Sequence, residues 1–304
     1  MVNKIIRSVF FGNYFIGVLA IALSLETVIQ HRLPFNSIAY YALLFCGTIM
    51  YYTYAYAGVL QSYSTDNPRS VWYQQHQALV RFSQISLLLL CCIFGVRELL
   101  NTIANLRSLP WIYWLIMVAI GMAGILYYGL LPGALVKLNL RNTGWLKAFV
   151  IGFVWAGCVS LLPIIVLQLE QGAYSADPVL VVWLFIKNWM FCTVNAIMFD
   201  MKDYADDTNK QLKTFVVRFG LRNTILFVLT PLCLIGIFFT LIFALYRCFT
   251  FLPVLFNVLP FLLLLAVTYT MQRQKDIFFY LIVIDGLVFI KAICGIAGMA
   301  FVAG

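Results

Sequence analysis

The sequence predicts an all-α integral membrane protein, and its composition is the first reason. Of the 304 residues, 63% are hydrophobic and only 10% are charged, whereas water-soluble chains carry about 25% charged residues. The apolar residues also form runs of about 20 residues, which is the length of a helix that crosses a bilayer. Soluble enzymes, secreted disulfide scaffolds and disordered proteins are therefore excluded, and the lipid bilayer is an expected partner.

Nine apolar runs bounded by charged or turn residues are the predicted transmembrane helices. They lie at 8–29, 37–61, 78–97, 110–131, 145–168, 178–199, 223–245, 249–270 and 277–301. Pro110 and Pro178 begin two of them, where the missing N–H group costs nothing. No linker divides the chain, so residues 1–304 are expected to form a single nine-helix membrane domain.

The basic residues predict the orientation of this domain. All but six of the 20 Lys and Arg residues lie at the N-terminus or in the even-numbered loops. Because cytoplasmic loops collect Lys and Arg, the N-terminus is expected in the cytoplasm and the C-terminus outside. The net charge of +9 is then mainly an orientation signal, and no nucleic-acid partner is expected.

An acidic cluster follows the sixth predicted span. Four of the eleven acidic residues, Asp200, Asp203, Asp206 and Asp207, lie within eight positions. If the helix continues, Asp200, Asp203 and Asp207 fall within about 60° of one another. Carboxylates on one stripe repel each other unless a cation neutralises them. The sequence therefore predicts that these three bind Mg²⁺ at the membrane surface; a solvated loop of mixed charges is the alternative.

The segment from Asp200 to Gly220 resembles the second aspartate-rich motif of the UbiA superfamily of membrane prenyltransferases. That motif reads D-x-x-D-x-x-x-D, then a basic stretch, K-T, a short apolar run and a closing Gly. The residues that match it in order and spacing are Asp200, Asp203, Asp207, Lys213, Thr214, Val216, Val217 and Gly220. The family has nine helices, and the residues WLKAFVIGFVWAG at 145–157 are similar to its fifth-helix entry.

The resemblance implies a ring of helices around a lipid-accessible cavity, and transfer of an isoprenyl group from a prenyl diphosphate to an aromatic or other lipophilic acceptor. Asp203 and Asp207 are the expected catalytic residues, with Mg²⁺ as cofactor and the bacterial cytoplasmic membrane as the expected location. Basic residues at the cytoplasmic ends are expected to bind the diphosphate. These are Lys147, Lys210, Lys213, Arg141 and Arg69.

The family's first motif, N-D-x-x-D, has no counterpart at the end of the second span, where the nearest acidic residue is Asp66. Tyr54 and Tyr56 occupy that region, and they are expected to line the cavity together with Asn195. A non-catalytic polyprenyl-lipid-binding protein on the same fold is therefore an alternative to the enzyme. A transporter on this fold is a further alternative.

Lys187, Asp285 and Lys291 fall well inside predicted spans, where ionisable residues are functional by default. Lys187 and Asp285 are expected to approach each other if their helices face one another, which keeps a transporter possible. Lys291 is six residues beyond Asp285 and therefore on a different face of the helix. Glu26 is expected to reach the headgroups from the end of the first span.

Overall fold

A computed structural model describes residues 2–54, 56, 68–129, 140, 143–172, 176–209, 212–273 and 275–302, and every regular element among them is helical. The α-helices are α1 (Val2–Phe11), α2 (Tyr14–Gln30), α3 (Ile38–Tyr54), α4 (Pro68–Gln75), α5 (Gln77–Thr102), α6 (Trp111–Tyr128), α7 (Leu146–Ala156), α8 (Leu162–Gln171), α9 (Pro178–Lys202), α10 (Tyr204–Asn209), α11 (Phe215–Thr224), α12 (Thr230–Tyr246), α13 (Phe251–Thr270) and α14 (Asp285–Met299). A 3₁₀ turn extends α5 through Ile103–Ser108, and π-helical turns occupy Gly157–Leu161, Ile225–Leu229 and Phe279–Ile284.

Seven helices in the described part of the chain are long and apolar enough to cross a bilayer, which agrees with an all-α multi-pass membrane protein. They are Gln77–Ser108, Trp111–Tyr128, Leu146–Gln171, Pro178–Lys202, Phe215–Tyr246, Phe251–Thr270 and Phe279–Met299. Of the second predicted span, 37–61, the structure describes helix over α3 alone. The total of nine spans stays a prediction.

The first predicted span is not one straight helix. The segments Lys4–Phe11 and Tyr14–Gln30 meet at 60°, and counting them as one bent span gives an eighth crossing. Asn13 lies at this break with a φ of 65°, in the left-handed region that Asn tolerates better than most residues. Its buried amide donates hydrogen bonds to Thr53 and Tyr73. These bonds stabilise the break that the hydropathy pattern did not reveal.

The chain divides into two compact units. Unit 1 comprises Met1–Ala22, Phe35–Leu109 and Val166–Tyr174. Within it α3 packs against α5 through buried Cys46, Ile49 and Leu87. The other face of α5 exposes a stripe of large apolar side chains. This stripe, which suits contact with lipid tails, contains Phe82, Ile85, Leu89 and Ile93.

Unit 2 comprises Leu23–Pro34, Pro110–Ile165 and Ser175–Gly304. One of its two most buried spans is α9, which contacts α7, α12 and α14. In the most apolar 18-residue stretch of α9, 56% of the residues are buried; in the corresponding stretch of Gln77–Ser108, 11% are buried. Small residues allow α7 to approach α9 closely, as is usual between membrane helices. A Cβ atom added to Gly152 would collide with Thr193 and with the backbone of Trp189.

We expect Gly152→Ala to lower the stability of the protein by about 1–3 kcal/mol, because the added methyl group overpacks the contact between α7 and α9. Gly121→Ala is the matched control, since nothing lies within 4 Å of a Cβ atom at that position. Alanine is also the better helix former, so the control should be neutral or slightly stabilising. The unfolding midpoints of the two variants in detergent test this expectation, and equal midpoints would contradict it.

Candidate functional site

Two of the predicted carboxylates share one lysine in unit 2. The Lys147 ammonium, in the first turn of α7, lies 3.0 Å from Asp200 Oδ1 and 2.8 Å from Asp207 Oδ2. Asp200 belongs to the last turn of α9 and Asp207 to α10. All three residues are buried, with 5–7% of their surface exposed. We call this group of three residues the aspartate cluster.

The helical stripe predicted for the three aspartates is not formed. The sixth predicted span, α9, ends at Lys202, and Asp203 takes non-helical backbone angles before α10 begins. Asp203 consequently forms an ion pair with Lys202 at 3.1 Å, with 39% of its side chain exposed. Asp200 and Asp207 were expected outside the packed interior, but both are buried and pack around the Lys147 ammonium.

The other predicted diphosphate ligands lie in different places. Lys213 is exposed on the segment that enters α11. Arg141 and Lys210, together with Asp66, lie outside the described residues, as does the side chain of Asp206. Of the predicted basic residues in the described part of unit 2, Lys147 forms ion pairs with the aspartates.

The donor atoms of this site are compatible with magnesium. Asp200 Oδ2 is buried and has no hydrogen-bond partner, and the partly exposed Asp203 follows it by three residues. The described residues contain no group of three or more His, Cys, Asp or Glu side chains placed to hold a metal ion together. Mg²⁺ needs fewer protein ligands than that, because it typically takes one or two carboxylates and completes its shell with water and substrate phosphate.

The second half of the motif shapes the backbone. Thr214 Oγ1 accepts a hydrogen bond from the Val217 amide at 3.3 Å and so caps α11, as threonine commonly does at a helix start. Gly220 has a φ of 77° inside α11, a conformation that strongly favours glycine. Gly144 also has a positive φ, of 68°, and a Cβ atom there would meet the carbonyl group of Lys213. These contacts fix the chain that carries Lys213.

Arg69 and the two predicted cavity tyrosines, Tyr54 and Tyr56, belong to unit 1. Arg69 is buried and donates through Nε and Nη2 to the Phe11 carbonyl, at 3.2 and 3.0 Å. Its guanidinium lies 4.6 Å from the centre of the Tyr56 ring, which stacks on Tyr73. Burial raises the pKa of the Tyr73 phenol, which donates to the same carbonyl. Arg69 thereby satisfies the last carbonyl group of α1. Tyr54, in contrast to the buried Arg69, is exposed.

Asn195, the third predicted cavity residue, contacts the backbone of the ninth predicted span. Its amide donates to the Ile284 carbonyl at 2.9 Å. Ile284 ends the π-helical turn Phe279–Ile284, and a π turn leaves carbonyl groups with altered partners. The contact joins α9 to this span.

A second charged group lies inside unit 2. Lys291 Nζ is 2.6 Å from Glu26 Oε2, and Lys187 Nζ is 3.9 Å from Glu26 Oε1. The prediction that Glu26 reaches the headgroups is wrong, because its surface is 0% exposed. The acidic neighbour of Lys187 is thus Glu26, where Asp285 was expected. We call Glu26, Lys187 and Lys291 the lysine cluster; the signal in the sequence was the presence of all three inside apolar spans.

Comparison with known proteins identifies no family for this chain. No protein-family model, curated protein or solved structure matches it. The chemistry of the two clusters therefore rests on their own geometry and on the resemblance of the segment from Asp200 to Gly220.

We expect Lys147→Met to destabilise the protein by about 3–5 kcal/mol, because it leaves two buried carboxylates without their counter-charge. Lys202→Met is the matched control. Its ion pair with Asp203 is partly exposed, so its loss should cost about 0–1 kcal/mol. The two free energies of unfolding, measured under one set of detergent conditions, test the difference. Equal losses would show that Lys147 is not the counter-ion of the aspartate cluster.

Proposed function

We propose that this protein is a UbiA-like, Mg²⁺-dependent prenyltransferase that transfers an isoprenyl group from a prenyl diphosphate to an aromatic or other lipophilic acceptor. The observation that carries the proposal is the aspartate cluster at the end of α9, followed in the chain by Lys213 and Thr214. It combines buried carboxylates, an ammonium group and an exposed basic segment in the order of the family's motif.

The proposal assigns a role to each of these residues. The unpartnered Oδ2 of Asp200 and the partly exposed carboxylate of Asp203 would hold Mg²⁺. When bound, Mg²⁺ would stabilise the charge that develops on the departing diphosphate. Lys213 would bind a diphosphate oxygen by a charge-assisted hydrogen bond. Lys147 orients Asp200 and Asp207 through its two short contacts.

The nine spans, the cytoplasmic N-terminus and the ring of helices belong to the same proposal. Seven apolar helices and one bent pair support the number of spans, and α3 would supply the ninth. The distribution of Lys and Arg along the chain supports the orientation. The location in a bacterial cytoplasmic membrane follows from the resemblance alone.

Binding of a polyprenyl lipid without turnover is the second candidate function. The observation that favours it is the absence of a paired-aspartate motif near the end of the second predicted span. With one acidic cluster in place of two, the diphosphate leaving group loses part of its charge stabilisation. A transporter is a further candidate, because the lysine cluster places ionisable side chains inside apolar helices.

We expect purified protein to release diphosphate from a labelled prenyl diphosphate when Mg²⁺ and a lipid extract containing acceptors are present. Asp203→Asn should abolish this release and weaken binding of the prenyl diphosphate by about 1.5–3 kcal/mol, the worth of an interaction with a charged group. Asp276→Asn is the matched control, because Asp276 is an exposed aspartate in another loop.

Three results distinguish the candidates. Mg²⁺-dependent binding with diphosphate release supports the enzyme. Mg²⁺-dependent binding without release, across a range of acceptors, supports the lipid-binding protein. No Mg²⁺-dependent binding of any prenyl diphosphate, or equal binding by the Asp203→Asn variant and the wild type, would overturn the proposed site.

A further inference from the structure

The lysine cluster is a closed network separate from the aspartate cluster. Lys187 precedes Asp200 by 13 positions on α9, which is about 20 Å along the helix. Lys291 donates to Glu26 Oε2 and to Asn188 Oδ1. Lys187 donates to Asn257 Oδ1 at 2.5 Å. The three charged residues are between 0% and 4% exposed.

In the described part of the chain, the lysine cluster makes hydrogen bonds with uncharged amide side chains. Gln30 donates to Glu26 Oε1 at 3.1 Å, and Asn188 Nδ2 donates to Ser160 Oγ at 2.7 Å. Among the described residues, the thiols of Cys192 and Cys294 also face the two lysines, and free thiols are mainly protonated at neutral pH. With every lysine and glutamate ionised, the network would carry one uncompensated positive charge.

A buried excess charge can be removed in two ways, by binding an anion or by losing a proton. Packing disfavours the anion. A Cβ atom added to Gly295 would collide with Glu26 Oε1 and Gln30 Nε2, and Lys187 is 4% exposed with its Nζ already against Asn257 Oδ1, so the network is closely enclosed by its neighbours. Loss of a proton needs no additional volume.

The contacts indicate which lysine exchanges its proton. Lys291 touches the Glu26 carboxylate directly, at 2.6 Å, and this ion pair favours its charged form. Lys187 is 3.9 Å from the carboxylate, beyond hydrogen-bond distance, and its ammonium lies 4.8 Å from the Trp183 ring. We propose that Lys187 is an intramembrane proton-binding site, which gives its Nζ proton to water while Lys291 and Glu26 stay paired.

Because the cluster has two lysines and one carboxylate, substitutions that change this number should change how the stability of the protein depends on pH. An unfolded lysine stays protonated up to about pH 10, so the folded protein would bind one proton fewer than the unfolded chain. Stability then rises with pH, by up to about tenfold in the folding equilibrium constant per pH unit from this site. Lys187→Met should remove this dependence. Lys291→Met should remove it too, because Lys187 then becomes the only partner of Glu26.

Glu26→Gln should strengthen the dependence of stability on pH, whereas the two lysine substitutions remove it. It leaves two lysines without a carboxylate, so the rise of stability with pH should become steeper than in the wild type. Lys4→Met, at an exposed lysine of α1, should leave the slope unchanged. Burial lowers the pKa of His31 in the folded protein to about 4, so its own contribution to the slope, which comes from titration of the unfolded chain below about pH 7, is the same in every variant.

The experiment measures the unfolding midpoint of the purified full chain in detergent between about pH 6 and pH 9, below the range where free lysines titrate. A wild-type slope retained in Lys187→Met, or a midpoint that depends on chloride concentration at constant pH, would overturn the proposal. The chloride result would indicate an anion site instead.

A second readout needs no substitution. In wild-type protein with isotope-labelled lysine side-chain nitrogens, one resonance should lie at the amine position at neutral pH and move to the ammonium position on acidification. Only ammonium resonances at neutral pH would contradict the proposal. Neither measurement uses a prenyl diphosphate, so the outcome is independent of the proposed enzymatic function.

Discussion

The burial of charge among apolar helices is the constraint on which the structure of this protein depends. A charged group inside a membrane span is costly unless it meets a partner of opposite charge or backbone carbonyl groups. In unit 2 the aspartate cluster and the lysine cluster satisfy this requirement with side chains from different helices. In unit 1 the buried Arg69 lies outside the candidate spans, on α4, and meets the same need with the Phe11 carbonyl at the end of α1. Each solution joins segments that are distant in the sequence.

One helix takes part in both clusters of unit 2. Lys187 lies in the first half of α9 and Asp200 in its last turn. At these two levels α9 is bound to α14 and α7 respectively, through Asn188 and Asp200. Close packing against α7 at Gly152 supplies the apolar part of the same arrangement. The position of Asp200 in the aspartate cluster therefore depends on the contacts that α9 makes with α14 and α7 at both levels.

The helical class and many of the helices are predictable from the sequence because hydropathy is a local property. The predicted span 178–199 corresponds to α9, and the span 249–270 to α13. The pairing of charges is not local, since Lys147 contacts Asp207 60 positions away. The burial of Glu26 depends on the absence of a side chain at Gly295, on another helix. The break at Asn13 likewise depends on hydrogen bonds to Thr53 and Tyr73.

The pairing of Glu26 with Lys291 spans 265 positions and has a consequence for biosynthesis. Chains generally fold from the N-terminus while they are being made, so Glu26 enters the bilayer long before its closest partner exists. Until α14 is inserted, Lys187 is the only cation of the cluster that has been synthesised. The last helix thus supplies the lysine that contacts the first acidic residue most closely. A chain truncated before α14 would leave Glu26 with Lys187, at 3.9 Å, as its remaining cationic partner in the cluster.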